Sequence, residues 1–267
     1  MKHFFALLVI LTFLSSTNRI VEEEYVNTQE TLITDKLAKA RKNAFIRGEK
    51  LDYKLAYGIL GGGTASIEVD NKVQKIGDRN LYHIIGTGRS TNFWDNFYKV
   101  RDRYETFVEE ETFHPRLFIR NVDEGGYQFQ QDYKFYPQKR LVKTQDQKEF
   151  KVPTNIQDMV SAFFYARTFD FSSITKGEII TVETFVDDEI FPLSIKYLGN
   201  DRIKVKGGEF DCMKFAPIVQ KGRIFKTEDD LSVWISNDAN KIPVKAEAQI
   251  LIGSVTMELT NYTNLAN

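Results

Sequence analysis

The stretch Val244-Lys245-Ala246-Glu247-Ala248-Gln249-Ile250 decides the fold class, because apolar and polar side chains alternate along its whole length. Successive side chains of a β-strand point to opposite faces, so this pattern predicts a strand with one face in the core and the other in water. The same alternation predicts further strands over residues 51–57, 65–69, 81–85, 103–108, 116–122, 127–136, 179–186, 193–198, 210–219 and 231–235.

Short turn signals separate these predicted strands. They include Gly125-Gly126, Gly199-Asn200-Asp201, Gly207-Gly208 and Gly253-Ser254. Connections this short leave room only for a reversal of direction, so neighbouring strands are expected to run antiparallel.

One segment departs from the two-residue period and predicts a helix. Thr154 and Gln157 have the spacing of a capping box, in which each side chain bonds a backbone N–H of the first turn. The apolar residues that follow fall on one helical face: Ile156, Met159, Val160, Phe163 and Phe164. This wide face predicts a helix that lies against the sheet.

Size and charge exclude several classes of protein. The chain has 267 residues, of which 36 are Lys or Arg and 37 are Asp or Glu, giving a net charge of -1. Nucleic acids and anionic membranes attract proteins with a basic excess, so this balance points to neither as a partner. The length suits one large β-rich domain, which we expect to span residues 44–267.

The amino terminus has the features of an export signal. A short basic start leads into an apolar run over residues 4–14, followed by small polar residues. The run is too short to cross a bilayer, which takes about 20 residues. We therefore expect a signal peptide and the start of a leader over 1–24, a polar leader over 25–43 with a short helix near 35–42, and no transmembrane span in the mature chain.

No recognisable catalytic or metal-binding set is present. Cys212 is the only cysteine, so no internal disulfide forms, and we interpret it as a small buried hydrophobe. His83 and His114 lack the spacing of metal ligands. The glycine-containing segments 61–64 and 86–88 lack the other residues of a nucleotide-binding loop. Their glycines therefore predict bends or close backbone approaches. We predict no catalytic residue, no metal and no cofactor. The acid clusters at 109–111 and 187–189 leave a hydrolase open as an alternative.

The most unusual composition lies between Phe93 and Tyr104, where aromatic and charged side chains are mixed. One interpretation is a ligand-binding or partner-binding surface, since aromatic rings supply contact area and arginine supplies directed hydrogen bonds. Its residues would be Phe93, Trp94, Phe97, Tyr98 and Arg101, joined by Phe164 from the predicted helix. The alternative is a turn that caps the core, with the rings buried and Arg101, Asp102 and Arg103 in ion pairs.

Three stretches together carry a family resemblance. They are residues 48–65 (Gly48-Glu49-Lys50-Leu51-Asp52-Tyr53 to Gly62-Gly63-Thr64-Ala65), residues 88–106 around Phe93-Trp94-Asp95-Asn96-Phe97-Tyr98, and residues 233–244 around Val233-Trp234-Ile235-Ser236. Over residues 44–262 the chain resembles exported bacterial proteins of the domain of unknown function 3108 family, especially those of the Bacteroidetes. The resemblance implies a periplasmic location and a curved antiparallel sheet, similar to the half-barrel of outer-membrane lipoprotein carriers. It carries over no catalytic residue, and this chain has no lipidation cysteine.

The sequence therefore predicts a mainly β protein of the α+β type, a half-barrel or open barrel with one main helix packed on it. Our leading hypothesis is a non-catalytic periplasmic protein that binds a lipid-like or other envelope-derived molecule. Its groove would lie between the 156–164 helix and the concave sheet, near residues 93–98. The alternatives are a cell-envelope interaction or scaffold protein, and a polysaccharide-directed hydrolase that uses the acid clusters.

Overall fold

The computed structural model describes residues 44–58, 60–218, 230–249 and 253–267. The expected signal peptide, the polar leader and its short helix lie outside the described residues. No helix in the described part of the chain has the length and hydrophobicity that a membrane span requires.

Strands dominate the described residues. They are β1 (Lys50–Tyr57), β2 (Leu60–Val69), β3 (Gln74–Ile76), β4 (Arg79–Ser90), β5 (Arg101–Glu109), β6 (Pro115–Glu124), β7 (Tyr127–Tyr136), β8 (Leu141–Thr144), β9 (Glu149–Lys151), β10 (Ile179–Val186), β11 (Glu189–Val205), β12 (Gly208–Pro217), β13 (Leu231–Ser236), β14 (Pro243–Gln249) and β15 (Ser254–Thr263). The α-helices are α1 (Asn92–Asp95) and α2 (Ser161–Arg167), and a 3-10 turn covers Pro137–Lys139.

All of these strands belong to one antiparallel sheet. Its order is β10-β11-β12-β13-β14-β15-β1-β2-β4-β5-β6-β7-β8-β9, with β3 paired to β4 beside this path. The predicted antiparallel pairing is confirmed. Strands β9 and β10 end the order and do not pair with each other among the described residues, so the sheet is an open barrel. The predicted fold class, mainly β with a curved sheet and one main helix, is confirmed.

The link between β9 and β10 partly bridges this opening. The backbone N–H of Gln157 donates to the oxygen of Glu183 at 2.9 Å, and its oxygen accepts from the N–H of Phe185 at 2.8 Å. The β10–β11 turn also reaches across, since Arg120 on β6 pairs with Asp187 at 2.6 Å. Tyr133 on β7 donates its hydroxyl to Asp188 at 3.0 Å.

Because neighbouring strands alternate in direction, their connections fall at two opposite ends of the barrel. One end, which we call the helix end, holds the entry segment 44–49, the β9–β10 link with α2, and the 237–242 turn. The other end, which we call the rim end, holds α1, the 125–126 turn and the 187–188 turn.

The predicted start of the helix is wrong. The helix begins at Ser161 and not near Thr154, which is exposed. The backbone of Gln157 is used by the edge strand β10 and is unavailable to a helix. Asp158 takes the capping role, since its Oδ1 accepts from the backbone N–H groups of Val160 at 2.9 Å and Ser161 at 2.8 Å. The apolar residues of the predicted face are still buried, except for the half-buried Phe163.

Candidate functional site

A buried ion pair holds the helix end together. Arg167, the last residue of α2, is bidentate to Glu49 with N–O distances of 2.6 and 2.9 Å, and both side chains are 1% exposed. The same guanidinium donates to the backbone oxygens of Asn240 at 3.0 Å and Ala44 at 2.9 Å. Burying an ion pair is favourable only when its remaining hydrogen bonds are satisfied. Arg167 meets this condition because its guanidinium also bonds these two backbone oxygens, and it thereby joins α2 to the entry segment and to the 237–242 turn.

Aromatic rings complete this junction. The Cζ of Arg167 lies 5.3 Å from the ring centre of Phe45 and 5.0 Å from that of Phe164, distances typical of cation–π contacts. The two rings meet edge to face with their centres 4.8 Å apart. The helix end is therefore closed by tightly packed side chains.

Above α2, the concave face of the sheet encloses a cavity of about 220 Å³. Its wall is mainly apolar and draws on both halves of the sheet as well as on α2. Lining side chains from the sheet include Tyr53, Leu55, Ile67, Val182, Leu193, Ile195, Phe215, Leu231, Val233, Ile235 and Met257, and those from the β9–β10 link include Met159, Phe163, Phe164 and Phe171. Several of the sheet residues are only half-buried, among them Ile67, Leu193, Ile195 and Val233. An apolar surface is thus left unfilled inside the barrel.

Small residues on neighbouring strands keep this space open. Ala65 on β2 pairs with Gly88 on β4, so two neighbouring positions of the wall carry almost no side-chain volume. A Cβ atom built at Gly88 would meet nothing within 4 Å. Of the two interpretations of Gly88 from the sequence, a bend or a close backbone approach, the structure does not support the close approach, since this glycine leaves open space.

Asp102 is a polar group in the cavity wall. Its side chain is 6% exposed, and one of its oxygens accepts from the backbone N–H of Asp123 at 3.1 Å. Burial, reinforced by the nearby Glu124 carboxylate, raises the pKa of Asp102 to about 8. The carboxyl group is therefore mainly protonated at neutral pH, and it donates its proton in a hydrogen bond to Glu124.

Of the predicted ligand-binding residues, only Phe164 lies in the cavity wall. Phe93, Trp94, Phe97 and Tyr98 lie on or beside α1 at the rim end and do not line the cavity, although Val100, which follows them in the chain, does. The physical reason is the direction of β4 and β5, which places α1 at the end of the barrel opposite α2. Arg101 points away from the interior and is bound to Asp95 at 2.5 Å.

The core-capping alternative for the same stretch is right only in part. Phe93 and Phe97 are 66% and 71% exposed, so they do not cap a core. Arg101 and Arg103 form ion pairs, as that alternative predicted, with Asp95 and Glu105. Asp102 instead faces the interior.

The acid clusters are taken up by structural contacts and lie at opposite ends of the barrel. Glu109, at the helix end, binds Arg79 at 2.7 Å and Arg116 at 2.5 Å. Burial alone would raise the pKa of Glu109, but hydrogen bonds from Thr112 and Arg116 hold it below its usual value. Asp187 and its neighbour Asp188, at the rim end, bind the Arg120 and Tyr133 side chains described above.

The remaining reactive side chains are placed as follows. Cys212 is fully buried, and burial together with nearby carboxylates raises its pKa to about 12, so the thiol stays protonated. His83 stacks on Phe107 with ring centres 4.2 Å apart and bonds Glu105 at 2.6 Å. Across the described ranges, no group of three or more His, Cys, Asp or Glu side chains is arranged to hold a metal ion.

One solved structure supports the barrel-like fold, and others show weaker similarity. A β-barrel-like protein of domain of unknown function DUF1849 from Brucella abortus superposes with a TM-score of 0.56 at 11% identity, covering 84% of this chain and 99% of that one. A candidate lipoprotein from Parabacteroides distasonis gives 0.36 at 10% identity, covering 85% and 99%. A candidate exported protein with a YmcC-like fold from Bacteroides fragilis gives 0.35 at 9% identity, covering 82% and 97%. Only the first match is close enough to bear on the fold, and it bears on nothing else.

No curated protein matches the chain. A family model described as "Protein of unknown function (DUF3108)" matches residues 52–260, which include every strand from β2 to β14 and most of β1 and β15. The chain belongs to the DUF3108 family.

Proposed function

We propose that the protein is a non-catalytic binding protein of the bacterial periplasm, which holds an apolar or lipid-like molecule in the cavity between the sheet and α2. The observation that carries this proposal is an open, mainly apolar cavity of about 220 Å³ inside a barrel whose helix end is sealed. An interior space of this kind costs stability unless something occupies it. A scaffold or interaction protein gains nothing from leaving it empty.

The size of the cavity indicates the kind of occupant. An engineered apolar cavity of about 150 Å³ is large enough to bind benzene. The cavity here therefore accommodates a larger apolar group, such as a segment of an acyl or isoprenoid chain. The lining side chains are mainly apolar, which suits a ligand with few polar atoms.

Export is supported by the amino-terminal residues. The apolar run over 4–14, with its basic start and small polar exit, has the composition that export machinery recognises. A periplasmic location would bring the cavity into contact with molecules of the cell envelope.

The cavity can be blocked without disturbing its walls. Gly88→Phe places a ring into open space, and Gly88 has no positive φ that would forbid a side chain. The matched control is Gly61→Phe on β2, an exposed glycine that also lacks a positive φ. Binding of the fluorescent dye 1-anilinonaphthalene-8-sulfonate and its displacement by a fatty acid are measured for both variants.

We expect saturable dye binding by the folded wild-type protein and by Gly61→Phe, with displacement by the fatty acid. For Gly88→Phe we expect binding at least about tenfold weaker, which corresponds to about 1.4 kcal/mol. Circular dichroism confirms that each variant is folded. Equal dye binding by the two glycine variants, or no saturable binding by the wild type, would reject the cavity as the site and favour the scaffold alternative.

A further inference from the structure

Exposed apolar side chains concentrate at the rim end. Of the ten large apolar side chains that the described residues expose, six lie there and four lie at the helix end or beside β3. The six are Leu60, Phe93, Phe97, Tyr127, Ile190 and Ile218. They come from strand ends and connections on both halves of the curved sheet, and so stand on both sides of its concave face. Contiguous exposed apolar groups mark a surface of contact, and Phe93 and Phe97 are such a pair, since their ring centres lie 5.6 Å apart.

The aromatic part of this surface is held in a fixed position. The ring centres of Phe93, Trp94 and Phe97 lie 5.6 to 6.2 Å from one another. The indole N–H of Trp94 donates to the backbone oxygen of Gly61 at 2.6 Å, which ties α1 to the start of β2. The ion pair between Arg101 and Asp95 anchors the other side of α1. These rings are thus presented to the outside by a braced turn.

Basic side chains lie close to these rings. Lys54 pairs with Thr64 and Thr64 with Arg89, so two cationic residues share one row on the outer face. Arg101 follows Arg89 in this row but is paired with Asp95, and Glu258 lies opposite Lys54 on β15. Lys54 and Arg89 are exposed. The near-neutral balance of the whole chain conceals this local row, which matches the charge of anionic lipid headgroups.

The cavity reaches strand ends at both ends of the barrel, since Lys241 and Pro243 line it at the helix end. Gly88, Val100 and Asp102 line it at the rim ends of β4 and β5, and Pro217 and Leu231 line it at the rim ends of β12 and β13. The rim end therefore lies next to part of the cavity wall.

We propose that the rim end docks on the surface of a lipid bilayer, with the rings of α1 in the headgroup region and the exposed side chains of Lys54 and Arg89 facing anionic lipids. Aromatic rings favour this interfacial region, and aromatic groups combined with basic ones are typical of proteins that lie on membranes. A bilayer can meet apolar groups from both walls of the barrel at once, which a narrow peptide or a single helix cannot. This inference extends the proposed function but its test does not depend on the cavity.

The test compares two pairs of exposed apolar residues in the purified protein. Phe93→Ser with Phe97→Ser removes the rings of α1, and Val73→Ser with Ile76→Ser makes a matched change in the β3 hairpin at the helix end, where these side chains are 53% and 47% exposed. Partitioning is measured by co-sedimentation with vesicles of phosphatidylethanolamine and phosphatidylglycerol. Vesicles with brominated acyl chains report insertion of Trp94 through quenching of its fluorescence, with Trp94→Phe as the control.

We expect the Phe93/Phe97 variant to partition onto vesicles at least about tenfold more weakly than the wild type, and the Val73/Ile76 variant to match the wild type. Brominated acyl chains should quench tryptophan fluorescence only in proteins that retain Trp94 at the rim. Gly88→Phe should still bind vesicles, so a failure of the cavity proposal leaves this result intact. No vesicle binding by the wild type, or equal loss in both double variants, would overturn docking. A further outcome would also overturn docking: the wild type does not bind vesicles, and sedimentation velocity shows a dimer that the Phe93/Phe97 change converts to a monomer. That result would identify the rim as a self-association surface.

Discussion

The buried pair of Arg167 and Glu49 permits a sharp test of how the helix end is closed. Glu49→Gln keeps the shape of the side chain but removes its charge, leaving the guanidinium with the backbone oxygens of Asn240 and Ala44 as its remaining charge-stabilising partners. Since both side chains are 1% exposed, water cannot replace the lost carboxylate. Breaking such a pair costs about 3–5 kcal/mol of the free energy of unfolding. In a domain of this size that lowers the melting temperature by roughly 6–20 °C.

Two further variants isolate the cause. Glu209→Gln breaks an ion pair with Arg202 that has a similar N–O distance of 2.9 Å, but Glu209 is 52% exposed and Arg202 is 68% exposed. We therefore expect the free energy of unfolding to fall by less than about 1 kcal/mol. Combining Glu49→Gln with Arg167→Met removes the unpaired charge, and should recover most of the stability lost in the single variant. Urea denaturation followed by tryptophan fluorescence gives all these free energies. A loss for Glu49→Gln no larger than that for Glu209→Gln, or a double variant less stable than the single one, would refute the reasoning.

Three other predictions concern single side chains. Phe164→Ala should lower the free energy of unfolding by about 3–5 kcal/mol, since the ring is fully buried. Thr154 is exposed and does not cap the helix, so Thr154→Ala should lower it by less than about 0.5 kcal/mol. Equal shifts of the urea midpoint in the two variants would contradict this prediction. Asp102 has a pKa of about 8 in the folded protein and about 4 when unfolded, so its contribution to stability is complete below pH 4 and is lost as the pH rises through 8. Asp102→Asn should therefore flatten the fall in stability between pH 5 and pH 8, and an unchanged slope would rule out this titration. Cys212, buried and with its pKa raised to about 12, should react with Ellman's reagent only after unfolding, and rapid labelling of the native protein would show that the thiol is accessible.

The alternation of side chains predicted most of the sheet because burial of one face imposes a two-residue period on each strand. It missed β3, β8 and β9, which have only three or four residues and so leave too short a pattern. It also missed the ten-residue β15, although Val255, Met257 and Leu259 alternate with polar residues there. The helix was placed too early because the capping-box spacing of Thr154 and Gln157 is a local signal. The long-range demand of the edge strand β10 for the backbone of Gln157 overrides it.

The candidate site was predictable only in part, for a similar reason. The alternation in β5 puts Asp102 on the same face as Tyr104, and the alternation in β4 puts Gly86 beside Gly88, so both features of the cavity wall were present in the sequence. The pairing of Glu49 with Arg167 spans 118 positions, and nothing in the neighbouring residues of either one signals it. Composition drew attention to Phe93–Tyr98, but composition cannot tell which end of a barrel a connection occupies.

Native mass spectrometry of the protein, purified without detergent from the cells that produce it, tests the central claim most directly. We predict that wild-type protein and Gly61→Phe carry a bound amphiphile, seen as a discrete added mass that is released on collisional activation. Gly88→Phe, prepared in the same way, should show the mass of the polypeptide alone. The same added mass on Gly88→Phe, or none on the wild type under conditions that preserve the fold, would contradict the account.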